Sequence, residues 1–271
     1  MISLKRNSKL ELVEAKGVRV RQSSIYTPNQ NDDFKISRGK FSDFLTCPRC
    51  FYFDRVKGLA SPEMPGWTLN ETTDLLLKKE FDECREKQIP HRIFRENNLE
   101  HVVPFAHPDM DKWRDSLRNG LMAKYNNIIL TGGVDDIWQD TNTKKLIVVD
   151  YKSQASRYMV ETEAYLASPY HGGYKTQMDF YAFLLREMGF EVDKTSYFLV
   201  CNADRNAEGF YGKMDFFETL VPYKWSTDWI PKQLSNMLKT LNSTEIPDGN
   251  TSCMNCAYAR QRAQYDSLKM E

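Results

Sequence analysis

Hydrophobic and polar positions along this chain change rhythm from segment to segment. Between residues 128 and 152, two apolar, β-branched runs, Ile128–Trp138 and Leu146–Tyr151, flank a polar stretch, which is the pattern of a β-hairpin. Helical spacing dominates elsewhere. Ser37 opens a segment in which Phe41, Phe44, Leu45, Phe51 and Phe53 predict a helix. A loop with Pro62, Pro65 and Gly66 follows. Leu69–Lys87 reads as a charged helix capped by Asn70, with Leu75, Leu76, Leu77 and Phe81 as its apolar stripe. Asp111–Lys124 reads as a short helix with Trp113 and Leu117 inward. Tyr174–Met188 sets Gln177, Tyr181, Leu184 and Met188 on one stripe and stops at Gly189. Asp228–Leu241 is the last long helix, with Pro231 tolerated in its first turn. Ser196–Cys201 and Phe210–Pro222 read as strands, and Ser153–Gly173 as an irregular polar stretch. The sum is an α/β fold, a central mixed sheet flanked by helices. Residues 1–36 read equally as a hairpin or a mobile extension, and residues 37–271 as one domain.

The hairpin pattern also predicts chemistry. A turn centred on Asn142 and Thr143 sets Asp135 directly opposite Asp150, with Cβ atoms roughly 4.5–5.5 Å apart. Period-two alternation puts Lys152 on the face of Asp150, while Val149 and Tyr151 point the other way and Asp136 faces away from Asp135. Two carboxylates that close repel, unless one takes a proton or a cation lies between them. A hard ion such as Mg²⁺ resolves the conflict, and the lysine is placed to orient or deprotonate a water there. That equipment suits metal-assisted hydrolysis of a phosphodiester. The plainer reading is an exposed strand pair. Gly132-Gly133 before it and the apolar Ile147-Val148-Val149 weigh toward a site.

Composition restricts the partners. Thirty-seven basic residues balance 37 acidic ones, so any contact with nucleic acid must come from local patches. No apolar run is long enough to span a membrane, and the first residues lack the apolar core of a signal peptide, which predicts a soluble, cytoplasmic protein. Of six cysteines, Cys84 and Cys201 read as small core residues. Cys47/Cys50 and Cys253/Cys256 form two Cys-x-x-Cys pairs, a metal-site pattern for which Zn²⁺ is the default and a [4Fe–4S] cluster the alternative. Such a site joins the N- and C-terminal parts of the chain. The histidines His91, His101 and His107 lack paired spacing and read as structural or exposed.

The run Gly132-Gly-Val-Asp135, then Val148-Val-Asp-Tyr-Lys152, then Gln177-Met-Asp-Phe-Tyr181 resembles the PD-(D/E)XK nuclease superfamily, in particular its RecB-like, QxxxY-bearing branch, over about Phe41 to Tyr258. The resemblance implies that Asp135, Asp150 and the Tyr151 carbonyl hold Mg²⁺ or Mn²⁺. It also implies that Lys152 activates water for in-line attack, and that Gln177 and Tyr181 position substrate and the catalytic centre. Related nucleases carry a metal-reaching histidine on the helix corresponding to Leu69–Lys87; Asp74 is the nearest residue for that role, beside the plainer reading of a solvated surface aspartate. Cys47-Pro-Arg-Cys50 resembles the first cluster cysteine of iron–sulfur nucleases, and with it the reading moves to [4Fe–4S], ahead of Zn²⁺. Cys50 is extra to that pattern, and the third C-terminal cysteine is missing. The implied activity is exonucleolytic cleavage of DNA at single-stranded or duplex ends, beside a helicase, CRISPR or repair partner. A catalytically inactive nucleic-acid-binding or scaffold protein of the same fold is the rival, and a zinc-stapled adaptor with no role on DNA is a third.

Overall fold

A computed structural model describes residues 4–62 and 66–267. Pro65 of the expected loop, and residues 1–3 of the expected N-terminal segment, lie outside the described residues. In chain order the elements are β1 (Phe34–Ser37), α1 (Arg38–Thr46), α2 (Pro48–Arg55), α3 (Thr68–Lys87), α4 (Arg92–Glu96), β2 (Val102–Pro104) and α5 (Met110–Arg114). Then come β3 (Leu121–Tyr125), β4 (Ile128–Gly132), β5 (Asp136–Asp140), β6 (Leu146–Ser156), α6 (Thr162–Ala167) and α7 (Gly172–Glu187). The last are β7 (Thr195–Asp204), β8 (Phe216–Lys224), α8 (Ile230–Leu241) and α9 (Met254–Ser267). The described residues divide into two compact units, one within Met1–Gly66, Lys124–Ile129 and Pro231–Glu271, the other within Trp67–Ala123 and Leu130–Ile230. No helix among the described residues is long and apolar enough to cross a membrane.

The second unit is a mixed sheet in the order β2-β5-β6-β7-β8, in which only β6 and β7 run parallel. β5 and β6 pair with Asp136 opposite Val149 and Ile137 opposite Val148, the register expected from the turn at Asn142-Thr143. Strand alternation then divides the side chains between two layers. On one face Val149, Tyr151, Trp138, Leu199 and Cys201 pack with Leu77 and Phe81 of α3. On the other, Asp150 meets Gln177 of α7. Burial of Trp138 beneath Phe81 and Phe94, with ring centroids 5.3 and 4.5 Å away, anchors the first layer.

Several sequence expectations change here. The apolar run Ile128–Trp138 is not one strand: it breaks after Gly132 and resumes at Asp136. A Cβ on Gly132 would lie 2.6 Å from the Tyr181 ring, and one on Gly133 would lie 2.5 Å from Ser116, so the bend needs glycine for close approach. α3 begins at Thr68, with Trp67 rather than Asn70 at its N-cap position. Its buried stripe is Leu77, Phe81 and Arg85, while Leu75 and Leu76 are exposed. The expected helix Asp111–Lys124 ends at Arg114, after which the chain enters β3; Trp113 is buried, but Leu117 is 94% exposed. The stretch after Lys152 is largely regular, because pairing with β7 carries β6 on to Ser156 and α6 follows. The strand expected from Phe210 begins at Phe216. Cys201 is buried, whereas Cys84 is only half-buried.

In the first unit the helix expected from Ser37 is two helices. The Ser37 hydroxyl accepts from the Lys40 N–H at the start of α1, and α1 ends where Cys47 turns extended before Pro48. Phe41, Phe44, Phe51 and Tyr52 are buried, as are Leu234, Met237 and Leu241 of α8. The Tyr26 hydroxyl donates to Asn242 at 2.9 Å, and that of Tyr52 donates to the Ser243 carbonyl at 3.2 Å. Asp54, nearly buried, accepts from Arg19 at 2.6 Å and Arg55 at 2.9 Å and pairs with Lys40 at 2.8 Å.

Candidate active site and cysteine site

Asp135 lies in the bend just before β5, one step beyond the ladder pair Asp136–Val149. Its Oδ2 accepts the Tyr151 N–H at 2.9 Å, which holds the carboxylate beside Asp150. Asp150 is fully buried. One of its oxygens accepts from Gln177 Nε2 at 2.7 Å, and the other is paired with the Lys152 ammonium. Gln177 and Tyr181 are one helical turn apart on α7, so both reach the same place. Gln177 Nε2 also donates to the Tyr181 hydroxyl at 3.2 Å, and that hydroxyl donates to the Gly133 carbonyl at 2.5 Å. Lys152 Nζ stands 4.7 Å above the Tyr174 ring and 3.5 Å from the Tyr151 carbonyl.

Burial pushes the Asp150 carboxyl up to about 7; the nearby Asp135 adds to this, and the Lys152 ammonium offsets only part of it. Burial favours a neutral Lys152, but Asp150 and Asp135 together outweigh it and hold the ammonium above its ordinary range. Asp74 stands on α3 near this pair. Its carboxylate accepts from Lys78 Nζ at 2.7 Å, and the same Nζ is 4.0 Å from Asp135 Oδ1. Partial burial and the Asp135 charge push its carboxyl up. The donor set of Asp135, Asp150 and the Tyr151 carbonyl, all hard oxygens around an under-compensated buried carboxylate, fits Mg²⁺ or Mn²⁺.

Sequence reading missed the layer beneath. Asp136 is fully buried on the α3 face and accepts from Arg85 at 2.5 Å, Arg114 at 3.1 Å and the Tyr151 hydroxyl at 2.8 Å. Arg114 also donates to the Asp135 carbonyl at 3.1 Å and to both oxygens of Asp82 at 2.9 Å. The network thus grips the backbone of Asp135 and the ring of Tyr151. One signal was available: Arg85 continues the spacing of Leu77 and Phe81, and a cation on an apolar stripe requires a partner. His91 stacks on Phe81 and bonds Glu80 at 2.8 Å, a structural role.

The four paired cysteines meet in the first unit. Cys47 precedes α2 with Cys50 in its first turn, and Cys253 and Cys256 stand likewise at the start of α9. Two helix N-termini, which favour negative charge, thus present their thiols to one point. All four sulfurs lie within 4.8 Å of one another. Burial pushes the Cys47 thiol up, but the backbone N–H groups of Cys50 and Asn250 outweigh it and bring the thiol down to about 7.

Comparison with known proteins adds two findings. The model of the PD-(D/E)XK nuclease superfamily matches residues 62–261. A crystal structure of a "Putative exonuclease" from Eubacterium rectale is similar at 14% identity with a TM-score of 0.41, over 89% of this chain and 94% of that one. No curated protein matches the sequence.

Proposed function

Since the chain belongs to the PD-(D/E)XK nuclease superfamily, we propose that Asp135, Asp150 and Lys152 form the centre of a divalent-metal-dependent nuclease that hydrolyses DNA. The observation that carries this reading is a fully buried Asp150 facing a second carboxylate, with Lys152 and Gln177 both committed to it. Asp135, Asp150 and the Tyr151 carbonyl would hold Mg²⁺ or Mn²⁺. When bound, such an ion supplies Lewis-acid stabilisation of charge on the phosphoryl oxygens.

The chain's own residues do the rest. Lys152 is held between Asp150 and the Tyr174 ring, where it can orient an attacking water and take its proton. Once the carboxylates are neutralised, burial is the main remaining influence on Lys152, and burial drives an ammonium toward the neutral base. Gln177 and Tyr181 are buried and turned toward protein atoms. That supports a role in fixing Asp150 and the Gly133 carbonyl rather than in touching substrate. Their spacing supports placement in the RecB-like branch, and with it exonucleolytic action on single-stranded ends beside a helicase, CRISPR or repair partner. Asp74 stands as a further metal-side group.

The test is cleavage of end-labelled single- and double-stranded DNA with Mn²⁺ or with EDTA, by wild type and Lys152→Ala. Metal-dependent cutting that disappears in the variant is the expected result, and the product ladder gives the polarity. Retention of DNA without cutting by wild type would instead establish the scaffold reading.

A further inference from the structure

The resemblance that points to a nuclease also implies a [4Fe–4S] cluster at the four cysteines, and the sulfur positions do not fit one. Cys47 and Cys256 sulfurs are 3.7 Å apart, those of Cys50 and Cys253 3.6 Å, and those of Cys50 and Cys256 3.4 Å. The whole set lies within 4.8 Å. In a [4Fe–4S] cluster each thiolate ligates a different iron, so the cube itself must fit between the sulfurs. With iron–sulfur bonds of ordinary length the thiolates then stand roughly 6 Å apart. A single tetrahedral ion with metal–sulfur bonds of about 2.3 Å requires only about 3.8 Å between them. The observed distances match the second arrangement.

We propose that Cys47, Cys50, Cys253 and Cys256 bind one Zn²⁺ ion, tetrahedrally and without an open position, and that no iron–sulfur cluster occupies this site. Disulfides are the other way to join four cysteines, and the geometry disfavours them. Cys50 lies 3.6 Å from Cys253 and 3.4 Å from Cys256, so it has no single partner, and both separations far exceed the bond length of about 2.05 Å. The two Cys-x-x-Cys turns are built alike. Each places its first cysteine before a helix and its second in the first turn, so four sulfurs converge without any rearrangement of α2 or α9. The backbone of Gly249 passes close beside the site, where a Cβ would lie 3.2 Å from the Cys256 sulfur and 3.3 Å from Arg49.

The function of this ion is to hold the start of α2 to the start of α9, segments about 200 residues apart in sequence. α9 has no buried residue among those described, so little apolar packing holds it otherwise. The assignment stands on the sulfur positions alone and survives failure of the nuclease reading.

The experiment is elemental analysis of the full chain, produced with both iron and zinc available and purified without oxygen, so that a labile cluster would be kept. The expected result is about one zinc per chain, no iron, no acid-labile sulfide and no visible absorption. Replacing zinc by Co²⁺ should give the ligand-field and thiolate charge-transfer bands of a tetrahedral thiolate site. Titrating wild type with an organomercurial should release zinc in step with the thiols, which avoids variants that fail to fold. Cys256→Ser should lose the metal and Cys84→Ser should keep it. Iron and sulfide near four of each per chain, a metal-free protein, or zinc kept by Cys256→Ser would each overturn the proposal.

Discussion

The four cysteines of the first unit lie in two short turns 203 to 209 residues apart in sequence, whereas Asp135, Asp150 and Lys152 lie within one hairpin. The donors differ as much as the topology. The cysteine site offers four soft sulfurs at helix starts, enough to fill a tetrahedral coordination shell. The hairpin offers hard oxygens beside a lysine, in a place where the charges are not balanced by the protein alone. A centre meant to hold chain segments together can be satisfied and closed. One meant to act on a substrate must keep an unmet demand for positive charge, and Asp150 has it. Asp54 makes the contrast within one residue type. It too is an aspartate largely removed from water, yet Arg55, Lys40 and Arg19 surround it and leave nothing unmet.

The largest effect should separate the two centres by kind. Lys152→Ala is expected to lower the cleavage rate by roughly 10²–10⁴-fold while stability falls only modestly, because the buried Asp150 takes up a proton instead of standing as an unpaired charge. Stripping the cysteine metal should do the reverse. It should lower the melting temperature and the unfolding free energy, the latter by about 4 kcal/mol relative to protein with free metal at a thousand times its Kd. Differential scanning calorimetry beside a cleavage assay reads both. Equal loss of stability in the two cases would mean that the two centres do not differ in kind.

Next in size is the layer under the hairpin. Asp136→Ala removes the buried carboxylate shared by Arg85, Arg114 and the Tyr151 hydroxyl and leaves the two arginines with the more exposed Asp82, at an expected cost of about 3–5 kcal/mol. A urea unfolding curve checks it, and a change under 1 kcal/mol would show that water replaces Asp136 without penalty. This layer was the least legible in the sequence. The hairpin register could be read because its turn and its alternation share one short segment, so Asp135 met Asp150 by counting. The convergence of Arg85, Arg114 and Asp136 depends on where α3 and the segment after α5 pack, and no local period encodes that. Gly132 and Gly133 were visible as a motif, but the bend they permit is set by Tyr181 and Ser116, which are distant in sequence. Likewise the Cys-x-x-Cys pairs announced a metal site, while the choice of metal needed the distances between sulfurs.

The two aspartates should also give opposite pH dependences. Burial raises Asp54, but Arg55, Lys40 and Arg19 outweigh it and hold the carboxyl below its ordinary range. Its contribution is therefore present above about pH 4 and is lost as the pH falls through the folded value. Asp150 in metal-free protein titrates near 7 rather than about 4. Between those values the folded state holds the extra proton, so stability declines as pH rises from about 4 to about 7, by ~2–4 kcal/mol. Asp150→Asn should remove that decline and make metal-free protein more stable than wild type at pH 8. Asp54→Asn should flatten the acid side only. Unfolding midpoints without divalent ions, taken from pH 3 to 8, decide the matter; an Asp150→Asn protein less stable than wild type at pH 8 would contradict the charge imbalance.

The smallest effect belongs to Asp74, and it tests how far the unmet charge of the hairpin reaches. Asp74 touches Lys78, and Lys78 lies 4.0 Å from Asp135, so the aspartate influences the carboxylate pair through a lysine. If Asp74 acts in this indirect way, Asp74→Asn frees Lys78 to pair more closely with Asp135 and weakens Mg²⁺ binding by about tenfold, the low end for groups that support metal ligands. The maximal cleavage rate at saturating metal should then stay within a factor of about two of wild type, because no group on the reacting atoms has changed. Lys78→Met should act in the opposite direction and tighten Mg²⁺ binding, since it removes the cation that competes for Asp135. Metal titrations of the cleavage rate read both variants. If Asp74→Asn instead abolishes cleavage at every Mg²⁺ concentration, Asp74 is itself a ligand, and the demand for charge centred on Asp150 extends onto α3.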